Sequence, residues 1–428
     1  MGRSTAEVSR PRRLAARGDE PLRSPRNAIP IVAFSLLAGV LLFTTVDPWL
    51  PGAGLFMGGI DLDVYRDGAQ HVLDGLPLYT EPLTHELLYT YTPFSTLMFV
   101  PFALLNGTVG EYIWMGFNFF LLVTIITLCW RILGYRITPY VLALSTLLAV
   151  ASGFLEPVRT TLFFGQINLV LMLLILWDTA RPDGSRIKGV GVGIAAGIKL
   201  TPAYFVLYFL ALRQWRAAMV AALTIVATVG VSALILPSDS WQYWTKTFFD
   251  STRIGDAFHA SNQSLKGAIT RLTLAPAPTW VWLLLDAVIA IVSMLVVVRL
   301  HRRGETLLAV TLAGMTASIL SPFSWSHHWV WFVPLTIWFI HRAVANLWWW
   351  TGPIVLFAIA GSWAYQWPLN RLVVGLYLFP PTWVSWDILV NLYVWSYALI
   401  LAGAAVVAWR APEVQVSDRA READTAPS

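Results

Sequence analysis

The sequence has little charge and almost no cysteine. Only 12% of its 428 residues are charged, and Cys129 is the single cysteine. One cysteine excludes an intrachain disulfide and any metal site built from several thiolates. A charged fraction this low, with 57% hydrophobic residues and a mean hydropathy of +0.63, lies outside the range of a water-soluble globular domain. The chain is therefore predicted to be an all-α, polytopic membrane protein.

Other absences narrow the architecture. The first apolar segment, residues 28–47, is not followed by a small-residue cleavage site, so we expect it to stay as an uncleaved first helix. No repeat of 20 to 50 residues and no inverted pair of halves is evident, unlike in many secondary transporters. Seven arginines in the first 26 residues account for the net charge of +5. The positive-inside rule explains them, so no nucleic-acid partner is expected.

The apolar runs and the positions of basic residues predict about 12 membrane crossings with both termini in the cytoplasm. The tails and the predicted inner turns hold 21 of the 29 Lys and Arg residues. Residues 1–27 and 411–428 are predicted to be disordered cytoplasmic tails. Residues 28–410 are predicted to form one transmembrane domain with external loops at 48–88, 237–278 and 364–387.

Two apolar segments do not fit a simple crossing. Residues 89–105 are short and contain Pro93 and Pro101, which predicts a re-entrant or oblique segment. Residues 189–212 could form one 24-residue helix. Basic residues at both ends favour a hairpin instead, with Lys199 to Pro202 at its outer tip.

An acidic stretch at residues 58–75, GGIDLDVYRDGAQHVLDG, carries four aspartates within fourteen residues. From Leu62 to Leu76 the apolar residues repeat at helical spacing, which predicts an amphipathic surface helix in the first external loop. Asp61 directly precedes this predicted helix. It is either an N-cap that accepts backbone N–H bonds or a carboxylate that serves as a general base or binds a cation at the membrane surface.

Under this topology the other unusual polar clusters fall on the same external side, which favours a single site built from several loops. They include Asp63, Glu156, Arg159, Gln166, Asn168, Lys199, Asn262, Gln263, Trp325, His327 and His328. Lys199 lies at a broken helix near membrane depth and needs an anion, for which a lipid phosphate would serve.

Several of these residues allow two interpretations. Arg159 is either the ion-pair partner of Glu156 or a further phosphate-binding cation. Asn262 and Gln263 either satisfy the loop backbone or bind sugar hydroxyls, which need uncharged donors and acceptors. Most of the 22 tryptophans are expected at the membrane interface, whereas Trp325 is placed to stack on a sugar ring.

The adjacent histidines, His327 and His328, raise the question of a metal. No third ligand lies at a zinc-like spacing, and neighbouring side chains point in different directions. We therefore expect one histidine to pack or to cap the next helix and the other to face a polar cavity. Neither a metal nor another cofactor is expected. If the ligand is a lipid phosphodiester, its phosphate leaves well as an anion when the bond to a transferred group breaks, and Lys or Arg can neutralise the charge.

Together these residues suit sugar transfer from a lipid phosphate. A base removes the proton from an acceptor hydroxyl, the oxygen attacks the anomeric carbon, and cations stabilise the departing phosphate.

An ordered set of short motifs, between residues 58 and 345, resembles glycosyltransferase family 87. These motifs are Asp61 with Val64 and Tyr65, GLPLY at 75–79, YTPF at 91–94, EPVR at 156–159, FGQIN at 164–168, GIKLTP at 197–202, NQS at 262–264 and SPFSWSHHW at 321–329. The family pattern Thr-Tyr-Pro-Pro is replaced here by YTPF, so residues 91–94 are expected only to shape their segment.

The resemblance implies the C-type glycosyltransferase fold in an actinobacterial cell membrane. It implies an inverting α-(1→2)-mannosyltransferase that uses polyprenyl-phosphate-mannose on the periplasmic face. The acceptor would be a mannose hydroxyl on a phosphatidylinositol mannoside, lipomannan or lipoarabinomannan, and the remaining partners are membrane lipids.

The resemblance also assigns residues. Asp61 matches the catalytic aspartate, with Asp63 the weaker candidate base, and the catalytic histidine matches His327 or His328, with His327 favoured. Donor phosphate binding is then expected at Lys199, Arg159 and His328. Sugar or acceptor contacts are expected at Asp63, Tyr65, Gln166, Asn168, Asn262, Gln263 and Trp325.

Two other functions remain open at this point. A transporter or flippase of lipid-linked sugars would also need buried cations and sugar-binding aromatic residues. It predicts charged residues along a path across the bilayer and internal two-fold symmetry, whereas the polar residues here concentrate on one face. A transferase of the same fold could move another sugar, because fold and donor type do not fix the sugar.

Overall fold

The computed structural model describes residues 18–45, 58–250, 253–366, 372–374 and 387–410. The α-helices are α1 (Glu20–Arg23), α2 (Pro25–Thr45), α3 (Ile60–Leu73), α4 (Pro93–Ala103), α5 (Gly107–Ile132), α6 (Pro139–Ser152), α7 (Glu156–Phe164), α8 (Asn168–Thr179), α9 (Val190–Ile198), α10 (Tyr204–Ala211), α11 (Trp215–Ile235), α12 (Pro237–Thr245), α13 (Leu265–Thr273), α14 (Thr279–Arg302), α15 (Thr306–Ile319), α16 (Phe332–Ala345), α17 (Thr351–Ala360), α18 (Asp387–Val390) and α19 (Leu392–Arg410).

Short 3₁₀ segments and one small ribbon complete the described structure. The 3₁₀ segments are Thr84–Glu86, Thr201–Ala203, Thr247–Phe249, Ser326–Trp331 and Leu347–Trp350. Strands β1 (Ala364–Gln366) and β2 (Leu372–Val374) pair antiparallel, with Ala364 opposite Val374. Among the described residues, this ribbon is the only sheet of two paired strands, and it lies in the predicted loop 364–387.

Five of the described helices, α2, α5, α11, α14 and α19, are long and apolar enough to cross a membrane. Helices α7 and α8 add a sixth candidate if they form one broken span, since a bend of 118° separates them. The prediction of about 12 crossings exceeds these five or six candidates. Many apolar segments that were predicted to be spans form helices of only 8 to 14 residues, because polar or glycine-containing motifs interrupt these segments.

The predicted boundaries of the tails and loops need correction where the structure describes them. Residues 20–23 form α1, and α2 begins at Pro25, so helix starts before residue 28. Asp19 forms an ion pair with Arg23 at 2.8 Å, and the Tyr140 hydroxyl donates to the Leu22 carbonyl at 3.1 Å. Helices α12 and α13 lie within the predicted loop 237–278. Residues 1–17, 411–428 and most of the predicted loop 364–387 lie outside the described residues.

The centre of the core is α15, in which every residue from Leu307 to Ile319 is buried. This helix has no charged residue, and α14, α16 and α19 pack around it. Gly314 lets the indole of Trp331 lie directly on the helix, since a Cβ there would be 2.0 Å from the Trp331 ring. The tight contact fixes the 3₁₀ segment Ser326–Trp331, which carries the histidine pair, against the core.

The segment 189–212 is a short hairpin. Helix α9 packs along α11 in the same direction, with Gly189 beside Ala217 and Gly197 beside Thr228. Since α10 leads directly into the start of α11, the chain must reverse between α9 and α10. Lys199 lies at this reversal, where the backbone is extended. The arrangement agrees with the hairpin that the basic residues favoured.

The basic turns gather at one end of the bundle. There the Tyr135 hydroxyl lies 3.1 Å from Nδ1 of His341, and Arg342 pairs with Glu305 at 3.2 Å. At the other end of α5, Arg66 of α3 donates to the Leu105 carbonyl at 2.8 Å. Helix α5 has 26 residues, so about 39 Å of helix separates these two ends.

We expect Gly314→Ala to destabilise the protein by about 1 to 3 kcal/mol, because the added methyl group collides with the Trp331 indole. The measurement is thermal unfolding in detergent, followed by tryptophan fluorescence. Gly403→Ala in α19 is the matched control, since a Cβ there has no neighbour within 4 Å among the described residues. Equal midpoints for the two variants would contradict the packing described here.

Candidate active site

Asp61 lies inside the first turn of α3. The helix begins at Ile60, and Gly59, with a φ of +64°, is its N-cap residue. The interpretation of Asp61 as the N-cap is therefore wrong, because the left-handed glycine starts the helix two residues earlier. Leu62, Tyr65 and Ala69 are buried as the amphipathic pattern predicted.

A tight bend between α7 and α8 packs against the start of α3. Gly165 ends α7 with a φ of +70°, and a Cβ on it would lie 2.7 Å from Cβ of Leu62. The indole N–H of Trp114 donates to the Gly165 carbonyl at 2.8 Å. Glycine is thus required here both for its conformation and for its lack of a side chain. The bend places Gln166 next to Asp61.

Gln166 connects Asp61 to two tyrosines. Its side chain forms a hydrogen bond with Asp61. The Tyr65 hydroxyl lies 2.9 Å from Gln166 Oε1 and 2.9 Å from the Tyr91 hydroxyl. Because Oε1 accepts from tyrosine, the amide N–H₂ of Gln166 is the group that donates to the carboxylate. The amide orientation of Gln166 is therefore fixed by its neighbours.

Three effects set the acidity of Asp61. Burial raises its pKa to about 6, while the Gln166 hydrogen bond and the positive charge of Lys199 act in the opposite direction. A carboxyl group with this pKa is mostly ionised at neutral pH and is a much better proton acceptor than an ordinary aspartate. Shifts of this kind are typical of catalytic groups.

Lys199 and His328 form a direct pair. Nζ of Lys199 lies 2.8 Å from Nε2 of His328 and 5.3 Å from the centre of the Tyr91 ring. An ammonium group can only donate, so Nε2 accepts and the imidazole proton is on Nδ1. Burial lowers the pKa of His328, and the charge of Lys199 lowers it further. The pair thus carries one positive charge, on Lys199.

His327 lies beside His328, with their ring centroids 5.0 Å apart, but is not among the described residues that line a hollow. His327 is buried, with a relative exposure of 3%. Its ring lies against the Phe164 ring at a centroid distance of 5.8 Å. Nε2 has no hydrogen-bond partner within the described chain. The backbone carbonyl of His327 accepts a hydrogen bond from Asn168 Nδ2 at 3.0 Å. Asn168 therefore holds the histidine segment in place, which is a different contact from the predicted one with sugar.

Two hollows meet at the Lys199 and His328 pair. The first, which we term the polar cavity, has a volume of about 210 Å³. The second, the apolar groove, has a volume of about 40 Å³ and is lined mainly by residues such as Leu171, Phe205 and Trp331. Lys199, Thr201 and His328 line both. A ligand with a phosphate at this junction could place an apolar chain in the groove and a polar group in the cavity.

Trp325 and Tyr91 line the polar cavity together with Arg253. Asp61 does not belong to the described lining of either hollow. It is linked to the polar cavity through Lys199, whose charge acts on it, and through Tyr91, which interacts with it electrostatically. Tyr65 is fully buried behind Tyr91.

Glu156 and Arg159 lie outside both hollows as described. Glu156 is buried and accepts hydrogen bonds from Ser326 at 2.7 Å and from Tyr393 at 2.8 Å. The Arg159 guanidinium is fully buried and lies 5.5 Å from the Phe163 ring centre. The structure thus places Arg159 within the core, close enough to Glu156 for their charges to interact, and not beside Lys199.

Asn262 and Gln263 are also fully buried. Asn262 Oδ1 accepts from the Ser324 N–H at 3.0 Å. Gln263 Nε2 donates to the Val390 carbonyl at 2.7 Å. Both amides thus bind backbone, which was the structural alternative to sugar binding, and neither belongs to the described lining of the polar cavity.

Asp63 is on the other side of α3 from the Gln166 contact. It forms an ion pair with Arg66 at 3.4 Å, and its charge acts on Glu111 of α5. The structure therefore does not bring Asp63 together with Lys199 or His328. Within the described ranges, no three His, Cys, Asp or Glu side chains form a group that could hold a metal ion.

Two site residues were not predicted from sequence. Tyr91 was expected only to shape its segment, although its motif, YTPF, did contain it. Arg253 lies in the polar cavity, and its Nη2 donates to the Tyr79 carbonyl at 3.0 Å. It was one of several basic residues in the predicted loop 237–278, and no spacing distinguished it from the others.

The sequence is similar to known proteins over most of its length. The profile of glycosyltransferase family 87 matches residues 89–322. A polyprenol-phosphate-mannose-dependent alpha-(1-2)-phosphatidylinositol mannoside mannosyltransferase of Mycobacterium tuberculosis is 31% identical over 392 residues, which cover 86% of this chain and 90% of that protein.

Two further relatives extend the comparison. A polyprenol-phosphate-mannose-dependent alpha-(1-2)-phosphatidylinositol pentamannoside mannosyltransferase of Mycolicibacterium smegmatis is 35% identical over 324 residues, 73% of this chain and 77% of that protein. An alpha-(1->3)-arabinofuranosyltransferase of Corynebacterium glutamicum is 26% identical over 265 residues, 60% of each chain. No solved structure matches this chain.

We expect Asn262→Ala to lower the free energy of unfolding by about 1 to 3 kcal/mol without any substrate, because buried backbone N–H groups lose their acceptor. Thermal unfolding in detergent measures the effect, with Gln70→Ala, at an exposed residue of α3, as the control. If Asn262 instead serves only to bind sugar, its removal would leave the unfolding midpoint unchanged while weakening substrate binding.

Proposed function

The chain belongs to glycosyltransferase family 87, and on that premise we propose that it transfers mannose from polyprenyl-phosphate-mannose to the 2-hydroxyl of a mannose on a glycolipid. The observation that carries this proposal is the Lys199 and His328 pair at the junction of the polar cavity and the apolar groove, together with the electrostatic effect of Lys199 on Asp61. A base and a cation whose charges interact suit the displacement of a phosphate by a hydroxyl.

In the proposed reaction Asp61 accepts the proton of the acceptor hydroxyl. The acceptor oxygen forms a bond to the anomeric carbon of the donor mannose, while the bond from that carbon to the phosphate oxygen breaks. The phosphate oxygen takes the bonding electrons, and the polyprenyl phosphate leaves with an added negative charge. Attack opposite to the departing phosphate inverts the configuration at the anomeric carbon.

In this proposal Lys199 binds the donor phosphate. Lys199 lines both hollows, and an ammonium group at membrane depth is stabilised by an anion. His328 accepts from Lys199 through Nε2, which leaves its Nδ1 proton as a second donor. Nδ1 is buried and has no partner within the described chain. The two groups together would stabilise the negative charge that develops on the leaving phosphate.

The two hollows suit the two ends of the donor. The apolar groove would hold the first isoprene units of the polyprenyl chain between Leu171, Phe205 and Trp331. The polar cavity would hold mannose and the acceptor, with Trp325 and Arg253 available for stacking and for hydrogen bonds. His327 remains the predicted second catalytic residue; it is buried and is not among the described residues that line the polar cavity.

We place this site on the periplasmic face of the cell membrane, with both termini in the cytoplasm. The support is the separation of the basic turns from α3 by the length of α5, since basic residues concentrate on the cytoplasmic side. We further propose the C-type glycosyltransferase fold, with short apolar helices such as α6 and α15 completing the roughly 12 crossings. The proposed acceptors are phosphatidylinositol mannosides, lipomannan and lipoarabinomannan.

Transfer of a different sugar is the second candidate function. The observation in its favour is the similarity to alpha-(1->3)-arabinofuranosyltransferases, which is 26% over 60% of the chain for the Corynebacterium glutamicum protein. That similarity is lower and covers less of the chain than the similarity to the mannosyltransferases. Assays with polyprenyl-phosphate-linked arabinose beside the mannose donor distinguish the two.

Asp61→Asn is expected to lower the transfer rate at least about 100-fold, because the proposed base is lost. The assay follows radiolabelled mannose passing from polyprenyl-phosphate-mannose to mannosylated phosphatidylinositols.

For the unmodified protein the rate should rise with pH through an apparent pKa of about 6. Gln166→Leu should shift this profile to higher pH, because it removes a hydrogen bond that lowers the pKa of Asp61.

Asp63→Asn is the matched control for this series and should retain most of the activity. Full activity of Asp61→Asn, or an equal loss for Asp63→Asn, would show that Asp61 is not the base. An unchanged pH profile for Gln166→Leu would show that Gln166 does not affect the pKa of Asp61.

Lys199→Met is expected to raise the KM for the donor about 10- to 100-fold, which is the effect of losing one charge-assisted hydrogen bond to phosphate. His328→Gln should also raise the donor KM. His327→Gln should leave the donor KM unchanged, because His327 is not among the described residues that line either hollow. Initial rates at varied donor concentration measure all three, and a larger KM effect for His327→Gln than for His328→Gln would reverse the assignment.

A further inference from the structure

A groove runs along α14 far from Asp61, at the end of the bundle that carries the basic turns. Its volume is about 520 Å³. Ile291, Leu295 and Val298 form its floor on one face of α14, and Ala211 of α10 and Trp409 of α19 form its edges. Ile291 and Leu295 are exposed by 62% and 63%. The groove therefore faces the lipid and is apolar along most of its length.

The length of the groove suits one acyl chain. Ile291 and Arg302 are the outermost residues of α14 that line it, and the eleven helical steps between them rise about 16 Å. This is close to the thickness of one leaflet of the hydrocarbon core, which is about half of 30 Å. An acyl chain lying along α14 would thus end near the last turn of the helix.

Two arginines lie at this end of the groove. The Arg299 guanidinium lies 4.8 Å from the centre of the Trp409 ring, and its Nε is buried without a hydrogen-bond partner within the described chain. Arg302 is exposed. Among the described residues no Asp or Glu lines the groove, and neither arginine forms an ion pair with another described residue. Two positive charges thus lie beside an apolar floor.

We propose that this groove binds one anionic phospholipid. The acyl chain would lie on Ile291, Leu295 and Val298, and the headgroup phosphate would lie between Arg299 and Arg302. Guanidinium groups bind phosphate through paired N–H bonds, and basic pockets between transmembrane helices on the cytoplasmic side favour anionic headgroups. The site is separate from the proposed active site and does not depend on the identity of the transferred sugar.

The test uses native mass spectrometry of the full-length protein, titrated in detergent with phosphatidylglycerol or with phosphatidylcholine of the same acyl chains. We expect one tightly bound phosphatidylglycerol and no equivalent binding of phosphatidylcholine. The double variant Arg299→Gln/Arg302→Gln should bind phosphatidylglycerol about 25-fold more weakly, from about a fivefold loss per arginine. Millimolar inorganic phosphate should not displace the lipid, because the acyl chain contributes to binding.

The control is Arg131→Gln/Arg136→Gln, which removes the same charge from exposed residues at the same end of the bundle. Equal binding by the two double variants, or equal retention of phosphatidylcholine, would overturn the proposal. A variant that ends at Arg410 tests the acidic segment 411–428 as a competing occupant. If only that shortened chain binds phosphatidylglycerol, the groove belongs to the segment and the proposal fails. Thermal unfolding of each variant confirms that it is folded.

Discussion

The bend between α7 and α8 determines most of the candidate site. Gly165 packs on Leu62 because it has no side chain, and Gln166 then reaches Asp61. A few residues along, Asn168 holds the backbone carbonyl of His327 at 3.0 Å. One bend therefore positions the proposed base on α3 and the histidine segment on the opposite side. Any side chain at position 165 would collide with Leu62 and push α3 away from the bend.

Broken helices explain how charged groups are accommodated in so apolar a chain. A continuous helix satisfies its own backbone, whereas a helix end leaves polar groups that need partners, and such ends are tolerated only inside protein or beside a cavity. Lys199 lies where α9 ends, Gln166 where α7 ends and His328 in a 3₁₀ segment. The same interruptions shorten the apolar helices, so the polar site and the reduced number of long spans have one structural origin.

The sequence predicted the helical architecture, because that depends on apolar periodicity. From short motifs it also predicted a single site that contains Asp61, Lys199 and one of the two histidines, of which His327 was favoured over His328. It could not decide which of two adjacent histidines faces the junction, since that depends on how Trp331 packs on Gly314. The sequence also could not show which buried amide binds backbone and which binds another side chain. Asn262 binds the backbone and Gln166 binds the Asp61 carboxylate, although both side chains carry the same amide group. Arg159 allowed two interpretations for a similar reason, because a buried cation near a carboxylate and a phosphate-binding cation look alike in sequence.

The electrostatic link between Asp61 and Lys199 couples donor binding to the strength of the base. The Lys199 charge lowers the pKa of Asp61, against the larger effect of burial. In the proposed mechanism the donor phosphate binds at Lys199 and offsets that positive charge. The pKa of Asp61 then rises, and its carboxylate becomes a stronger proton acceptor when the donor is in place. Because the pKa of Asp61 starts at about 6, a modest rise still leaves a large fraction ionised at neutral pH. The carboxylate would thus be a weaker base in the empty site, where no donor is available for reaction.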